Sequence, residues 1–242
     1  MELLNNFLFV ALPYIALTVF LIGTIYRYKG TKFKFSSLSS QFLEGKKLFW
    51  GSVPFHFGIM VLFFGHLIAF LIPDAILSWN SSPMRLIILE VSAFIFGLSA
   101  LVGMFNLLIR RKTNPRIEII SSKMDLLIEL ILLIQIFFGL WIAYEYRWGS
   151  SWFASVMSPY LNSIFTLNPQ IDAVSSMPWV IKIHVSLAFT IVLLIPFTRL
   201  VHLLVFPLSY LWRPYQIVMW NWNRKKIRDP KTLWNVTRSK NN

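Results

Sequence analysis

Five long apolar stretches, at about residues 7–26, 53–72, 86–109, 126–146 and 179–203, constrain this chain more than anything else in it. Each supplies the roughly 20 residues that a helix needs to cross ~30 Å of hydrocarbon. No water is available in that layer to take up a free N–H or C=O, so each crossing segment is expected to be an α-helix. The composition agrees. Of 242 residues, 56% are hydrophobic and 14% charged, against about 25% charged in a typical soluble domain. The mean hydropathy is +0.62. The expected fold class is therefore all-α integral membrane, with five transmembrane helices and a cell (inner) membrane location.

The first stretch differs from a cleaved signal peptide. Its only early charge is Glu2, its apolar run exceeds the usual length, and no small-residue cleavage site follows. It is expected to remain as a helix.

The net charge is +13, and its distribution argues against nucleic acid as a partner. Lys and Arg cluster in three blocks. The first runs from Arg27 to Lys47, the second from Arg110 to Lys123, and the third from Arg213 to Lys240. The alternate connections carry only Arg85 and Arg147, while Lys182 and Arg199 fall within the last apolar stretch. Cytoplasmic loops are the ones enriched in Lys and Arg, which puts the N-terminus outside and the C-terminus in the cytoplasm.

The sequence divides into a membrane domain, residues 1–212, and a basic cytoplasmic tail, residues 213–242, with three tryptophans. That tail would lie on the lipid surface or dock on a soluble subunit. Residues 152–167, in the long aromatic outer loop, are expected to form a short helix in the interface, where Trp and Tyr are favoured. The chain has no cysteine, so it ligates no iron–sulfur cluster and holds no thiolate or covalently attached haem.

The chain has four histidines, His56, His66, His184 and His202, and all lie in the second and fifth apolar stretches. A single intramembrane histidine is as readily a polar contact between helices as a ligand. Four of them, with none in a loop, point instead to two pairs of axial ligands for b-type haem iron. Depth selects the pairs. At 1.5 Å per residue His56 lies about 5 Å from the inner end of its helix, and His66 about 20 Å. His184 lies roughly 22 Å from the inner surface, and His202 close to it. His56 therefore matches His202, and His66 matches His184. Eighteen residues of continuous helix would return His184 and His202 to one face, whereas ten leave His56 and His66 about 80° apart. Rises of ~15 Å and ~27 Å on the two helices bracket a metal separation near 20 Å, with the two haems stacked across the bundle.

Gly58, Gly65 and Ala69 leave room either for a flat macrocycle or for close helix packing. Arg199, one turn before His202, is expected to meet a haem propionate, although an arginine reaching for headgroups would look the same. Lys182 reads as a lysine extended toward the surface. Asp125 and Glu129 suit the N-terminus of the fourth helix and are given no catalytic part. Glu90 could accept a quinol proton, but a plain polar contact is the simpler reading.

These residues resemble a known family. Phe55-His56-Phe57-Gly58 through Gly65-His66, Arg110-Arg111 with Pro115-Arg116, and Ile183-His184 through Pro196-Phe197-Thr198-Arg199-Leu200-Val201-His202 are similar to the gamma subunit, the cytochrome b, of respiratory nitrate reductase. So are Pro13-Tyr14-Ile15 and the run from Leu21 to Tyr28. The likeness extends to about Gln216.

The resemblance implies two haems b. The proximal one, on His56 and His202, would face a cytoplasmic iron–sulfur subunit, and beyond it a molybdenum catalytic subunit. The distal one, on His66 and His184, would lie near the outer leaflet, where quinol from the membrane pool is oxidised. Arg199 and Arg111 join the expected cofactor-binding set. The quinol site would comprise Gly65, His66 and Arg85, with Arg85, the expected catalytic residue, where the family carries a lysine. Arginine stays charged and donates in a fixed fork, so quinone affinity would differ. The tail is longer than the family's.

Two other functions fit parts of the pattern. One is the related membrane cytochrome of sulfite- or heterodisulfide-reductase-type complexes. The other is a haem-free transporter or structural anchor, which leaves four depth-matched histidines unexplained.

Overall fold

A computed structural model describes residues 2–31 and 46–204. The tail at 213–242, the end of the membrane domain from residue 205, and most of the first basic loop lie outside the described residues. Among the described residues the secondary structure is helical throughout.

Five helical segments are long and apolar enough to cross a membrane: α1 (Glu2–Gly30), α2 (Lys46–Leu71), α3 (Pro83–Thr113), α4 (Lys123–Glu145) and α5 (Trp179–Leu194) with the 3-10 turn that carries it on to Phe197. The chain is a multi-pass membrane protein. Large side chains such as Phe57, Phe64, Ile88, Val102 and Phe105 are exposed on the bundle, as expected of a surface solvated by lipid rather than water.

Local sequence explains where the helices begin and how they pack. Pro83 opens α3, where a missing N–H costs nothing. A reciprocal capping box opens α4: Ser122 Oγ accepts from the Asp125 N–H, and Asp125 Oδ2 accepts from the Ser122 N–H. Pro54 is tolerated inside α2, and its carbonyl accepts a hydrogen bond from Ser99 Oγ at 3.1 Å. α2 and α3 approach backbone to backbone. A Cβ on Gly58 would stand 2.5 Å from the Phe96 oxygen, and one on Gly103 would strike the Phe55 nitrogen. Small residues permit this close contact, which replaces the absent hydrophobic drive between membrane helices. Phe55, Ala100, Met104, Ile128, Leu132 and Ile136 form the core among α2, α3 and α4.

The fifth helix corrects one expectation. The α-helix stops at Leu194; a 3-10 turn covers Ile195–Phe197, Thr198 is extended (φ −122°, ψ 177°), and a second 3-10 turn spans Arg199–Leu204. Pro196 explains the break, because it has no N–H and its ring collides with the carbonyl four residues back. Thr198 Oγ1 donates to the Leu194 oxygen at 3.0 Å, taking up a carbonyl the helix no longer uses. α1 clasps the break: a Cβ on Gly23 would stand 3.0 Å from the Pro196 side chain, and Arg27 donates to the Pro196 carbonyl.

The long loop is helical where the sequence suggested, with a π-helical turn at Phe153–Met157 and an α-helix at Ser158–Phe165. One side of it packs inward on the bundle. Ser158 Oγ donates to the Ala69 oxygen, Tyr160 Oη to the Phe9 oxygen, and Met157, Tyr160 and Ile164 are buried with Phe9.

Candidate functional site

The four histidines gather at two places in the bundle. His56 and His202 come together with ring centres 6.2 Å apart and ring planes at 61°. His66 and His184 lie close enough to interact electrostatically. His56 and His202 are the two that depth alone set at one level near the inner end. The rotational part of that reasoning needs correction, because it assumed an unbroken α-helix from His184 to His202. A 3-10 turn rises about 2.0 Å per residue, and it carries His202 into place.

Hydrogen bonds fix the protonation of the rings. A carbonyl oxygen can only accept, so an imidazole nitrogen beside one must carry the proton. His56 Nδ1 lies 2.7 Å from the Ser52 oxygen, His66 Nδ1 2.7 Å from the Leu62 oxygen, and His202 Nδ1 2.6 Å from the Arg199 oxygen. In each ring Nε2 keeps its lone pair, the arrangement in which a neutral histidine ligates a metal. His56, His66 and His202 are exposed on the chain.

His184 is half-buried on α5 against α4. Its Nδ1 donates to the Gln135 oxygen at 3.1 Å, and its Nε2 stands 3.3 Å from Gln135 Nε2. The amide donates to the imidazole lone pair, and Gln135 Oε1 is buried without a partner among the described residues. Gly139 makes room for this ring: a Cβ there would stand 3.0 Å from His184 Cε1.

Haem is the group the donors fit. Metal–imidazole bonds of about 2.0 Å on opposite sides of one iron place two ring centres roughly 6 Å apart, which the His56–His202 pair matches at 6.2 Å. No group of three or more His, Asp or Glu side chains suited to a metal ion converges among the described residues. A pair of histidines suits a macrocycle that brings its own equatorial nitrogens. At the second pair, ligation by His184 requires the Gln135 amide to turn aside.

The small residues divide. Gly65 has open space around the position a Cβ would take, whereas Gly58 and Ala69 are buried in helix and loop contacts.

The charged residues organise the His202 end. Arg199 Nε meets Asp125 Oδ1 at 2.9 Å, and its Nη2 donates to the Ile120 oxygen at 2.9 Å. Arg111 binds Glu129 Oε1 at 2.8 Å, Ser121 Oγ at 2.8 Å, and Asp125 Oδ2 at 3.5 Å. Arg199 and Arg111, both in the expected cofactor-binding set, thus meet carboxylates of α4. Asp125 and Glu129 do more than favour a helix dipole, a role invisible without knowing which elements meet.

At the opposite end, Arg85 Nη2 contacts the Ser78 oxygen at 3.3 Å and Ser81 Oγ at 3.2 Å, with its guanidinium 5.4 Å from the centre of the Trp79 ring. His66 packs edge-on against Phe153 at 5.1 Å. These contacts share no residue, so Arg85 and His66 are placed near one end of the bundle but are not joined. Glu90 accepts from the backbone N–H and the hydroxyl of Ser150, at 2.8 and 2.6 Å, the plain polar contact expected. A cavity of about 230 Å³ between α3 and α4 is lined by Glu90, Phe94, Tyr144 and Arg147. Lys182 reaches Asn5 Oδ1 at 3.4 Å.

Comparison with known proteins agrees with this architecture. The family described as nitrate reductase gamma subunit matches residues 5–221. The nitrate reductase gamma chain of Bacillus subtilis is 33% identical, with 85% of this chain and 94% of that one covered. The respiratory nitrate reductase 2 gamma chain of Escherichia coli is 36% identical, with 90% and 97% covered. The respiratory nitrate reductase 1 gamma chain of Escherichia coli is 32% identical, with 90% and 98% covered. With five apolar helices, two histidine pairs and these relatives along nearly its whole length, the chain belongs to the nitrate reductase gamma subunit family.

Proposed function

We propose that this chain is the quinol-oxidising cytochrome b of a nitrate reductase complex, holding one haem b on His56 and His202 and a second on His66 and His184. The observation that carries the proposal is the His56–His202 pair, two imidazoles with ring centres 6.2 Å apart and their Nδ1 protons held on carbonyl oxygens. When bound, the haems supply one-electron iron chemistry whose potential follows their ligands and surroundings.

The chain's own residues prepare those sites. The Ser52, Leu62, Gln135 and Arg199 carbonyls fix each imidazole tautomer and raise the basicity of the ligating nitrogen. Gly65 leaves room beside His66. Arg85, with Gly65 and His66, would bind quinol, its guanidinium donating to a quinol oxygen. Arg111 and Arg199 supply the positive charge that propionates require.

The basic blocks support an orientation with the N-terminus outside and the His56–His202 end toward the cytoplasm. A chain without cysteine needs a separate iron–sulfur subunit to take its electrons. A molybdenum subunit would complete the complex. The relatives' names favour nitrate over sulfur-compound reductases as the partner enzyme.

A dithionite-reduced spectrum and the haem content of the purified chain test the proposal. Two b-type haems per polypeptide are expected; absence of b-type bands would leave a haem-free membrane protein.

A further inference from the structure

His202 sits beyond the point where α5 ceases to be an α-helix. The regular frame that sets His56, His66 and His184 therefore does not set it. A connected series of contacts does so instead. His202 Nδ1 donates to the Arg199 oxygen, in the same 3-10 turn. Arg199 then forks: Nε binds Asp125 Oδ1 at 2.9 Å, and Nη2 donates to the Ile120 oxygen at 2.9 Å. Ile120 lies in the connection between α3 and α4, and Asp125 in the first turn of α4. Asp125 is 4% exposed and is itself held by the reciprocal bonds with Ser122 and by Arg111.

We infer that Asp125 is a positioning residue for His202: through the Arg199 fork it fixes where the 3-10 turn stands and how the imidazole is presented toward His56. The inference rests on the haem reading above. A short 3-10 turn has poor hydrogen-bond geometry and does not hold one orientation by itself. A planar guanidinium bound at two points restrains direction as well as distance. The competing explanation is that Asp125 serves α4 alone, as half of its capping box. Ser122→Ala separates the two, because it removes the cap hydroxyl and leaves the carboxylate for Arg199. Asp125→Asn does the reverse, since an amide oxygen still accepts from the Ser122 N–H but no longer pairs with a guanidinium.

The test uses the full chain in native membranes with its partner subunits. Redox titration of the b-type absorbance and electron paramagnetic resonance of the ferric haems are read for each variant. In Asp125→Asn, the signal that His202→Ala abolishes should shift, while the other haem's signal stays in place. Arg199→Lys, which keeps the charge but loses the fork, should shift the same signal, and it stands in if Asp125→Asn does not accumulate. Ser122→Ala should match the unaltered chain. Two fully occupied haems with unmoved signals in both variants, equal shifts in both haems, or a Ser122→Ala spectrum equal to that of Asp125→Asn would each overturn the inference. A wild-type chain without b-type bands would bring down the haem reading and this inference together.

Discussion

The imidazoles of His56 and His202 meet edge-on with ring centres 6.2 Å apart and planes at 61°, although one lies on an α-helix and the other on a 3-10 turn after a break. Two elements of different geometry converge to bring these two rings together, each with its Nδ1 proton held by a backbone oxygen.

If that pair holds one iron, its members are not independent. Either His56→Ala or His202→Ala should reduce haem from two to one per chain. The double variant should retain one haem rather than none. Pyridine haemochrome assay of purified protein checks this, and a double variant with no haem would show the pairing to be wrong.

The spans and the nearness of His56 to His202 were legible because both follow from lengths. Apolar runs must match the hydrocarbon, and 1.5 Å per residue converts position into depth. The break before His202 had a signal, Pro196, whose effect on a helix is known beforehand; reading the stretch as one helix overlooked it. The Asp125–Arg199 pair was not legible, because it depends on which loop meets which turn. Nor was the inward packing of Ser158 and Tyr160, since amphipathic aromatic residues serve a membrane interface and a wet-ended core equally well.

Gly58 and Gly65 of α2 should behave oppositely. Gly58→Ala places a methyl 2.5 Å from the Phe96 oxygen and 2.7 Å from the Ala100 nitrogen, both backbone atoms that cannot step aside. A cost of about 1–3 kcal/mol is expected from overpacking. Gly65→Ala meets nothing within 4 Å and should leave stability of the haem-free chain unchanged. Thermal unfolding in detergent measures both.

Arg85→Ala should slow haem reduction by a quinol analogue by about tenfold or more, the loss of one charge-assisted hydrogen bond, with haem content retained. Stopped-flow absorbance reads the rate. Unchanged kinetics would shift attention to the cavity beside Glu90 and Arg147.

Tyr160 ties the folded loop to α1, donating to the Phe9 oxygen at 2.9 Å. Tyr160→Phe strands that oxygen and should cost about 1–3 kcal/mol. Burial, with a smaller contribution from Tyr14, pushes the phenol above its ordinary 10.0. The folded state thus binds this proton more tightly than the unfolded chain. Its contribution is full below pH 10.0, and declines as pH rises further, where the unfolded chain ionises first. Stability curves of the two proteins should therefore converge above that pH. A constant difference across the alkaline range would mean that the hydroxyl is not held as described.

The absence of native cysteine makes sidedness open to a clean measurement. Asn168 and Thr113 are both exposed, the first in the long connection between α4 and α5, the second at the end of α3. α3 and α4 cross in opposite directions if all five helices span, so these positions lie on opposite sides. Nineteen of the 23 Lys and Arg residues fall in the connections and adjoining helix ends on the Thr113 side, counting the terminal segment, and two on the other. Positive residues resist translocation, so the Thr113 side should be cytoplasmic. An impermeant maleimide should label Asn168→Cys in intact spheroplasts and Thr113→Cys only in inverted vesicles. The consequence reaches the site, because Thr113 marks the end of the bundle where Arg111 and Asp125 hold Arg199, and so His202. The reverse labelling pattern would put His56 and His202 toward the outside, and the proposed docking of an iron–sulfur subunit at that end would fall.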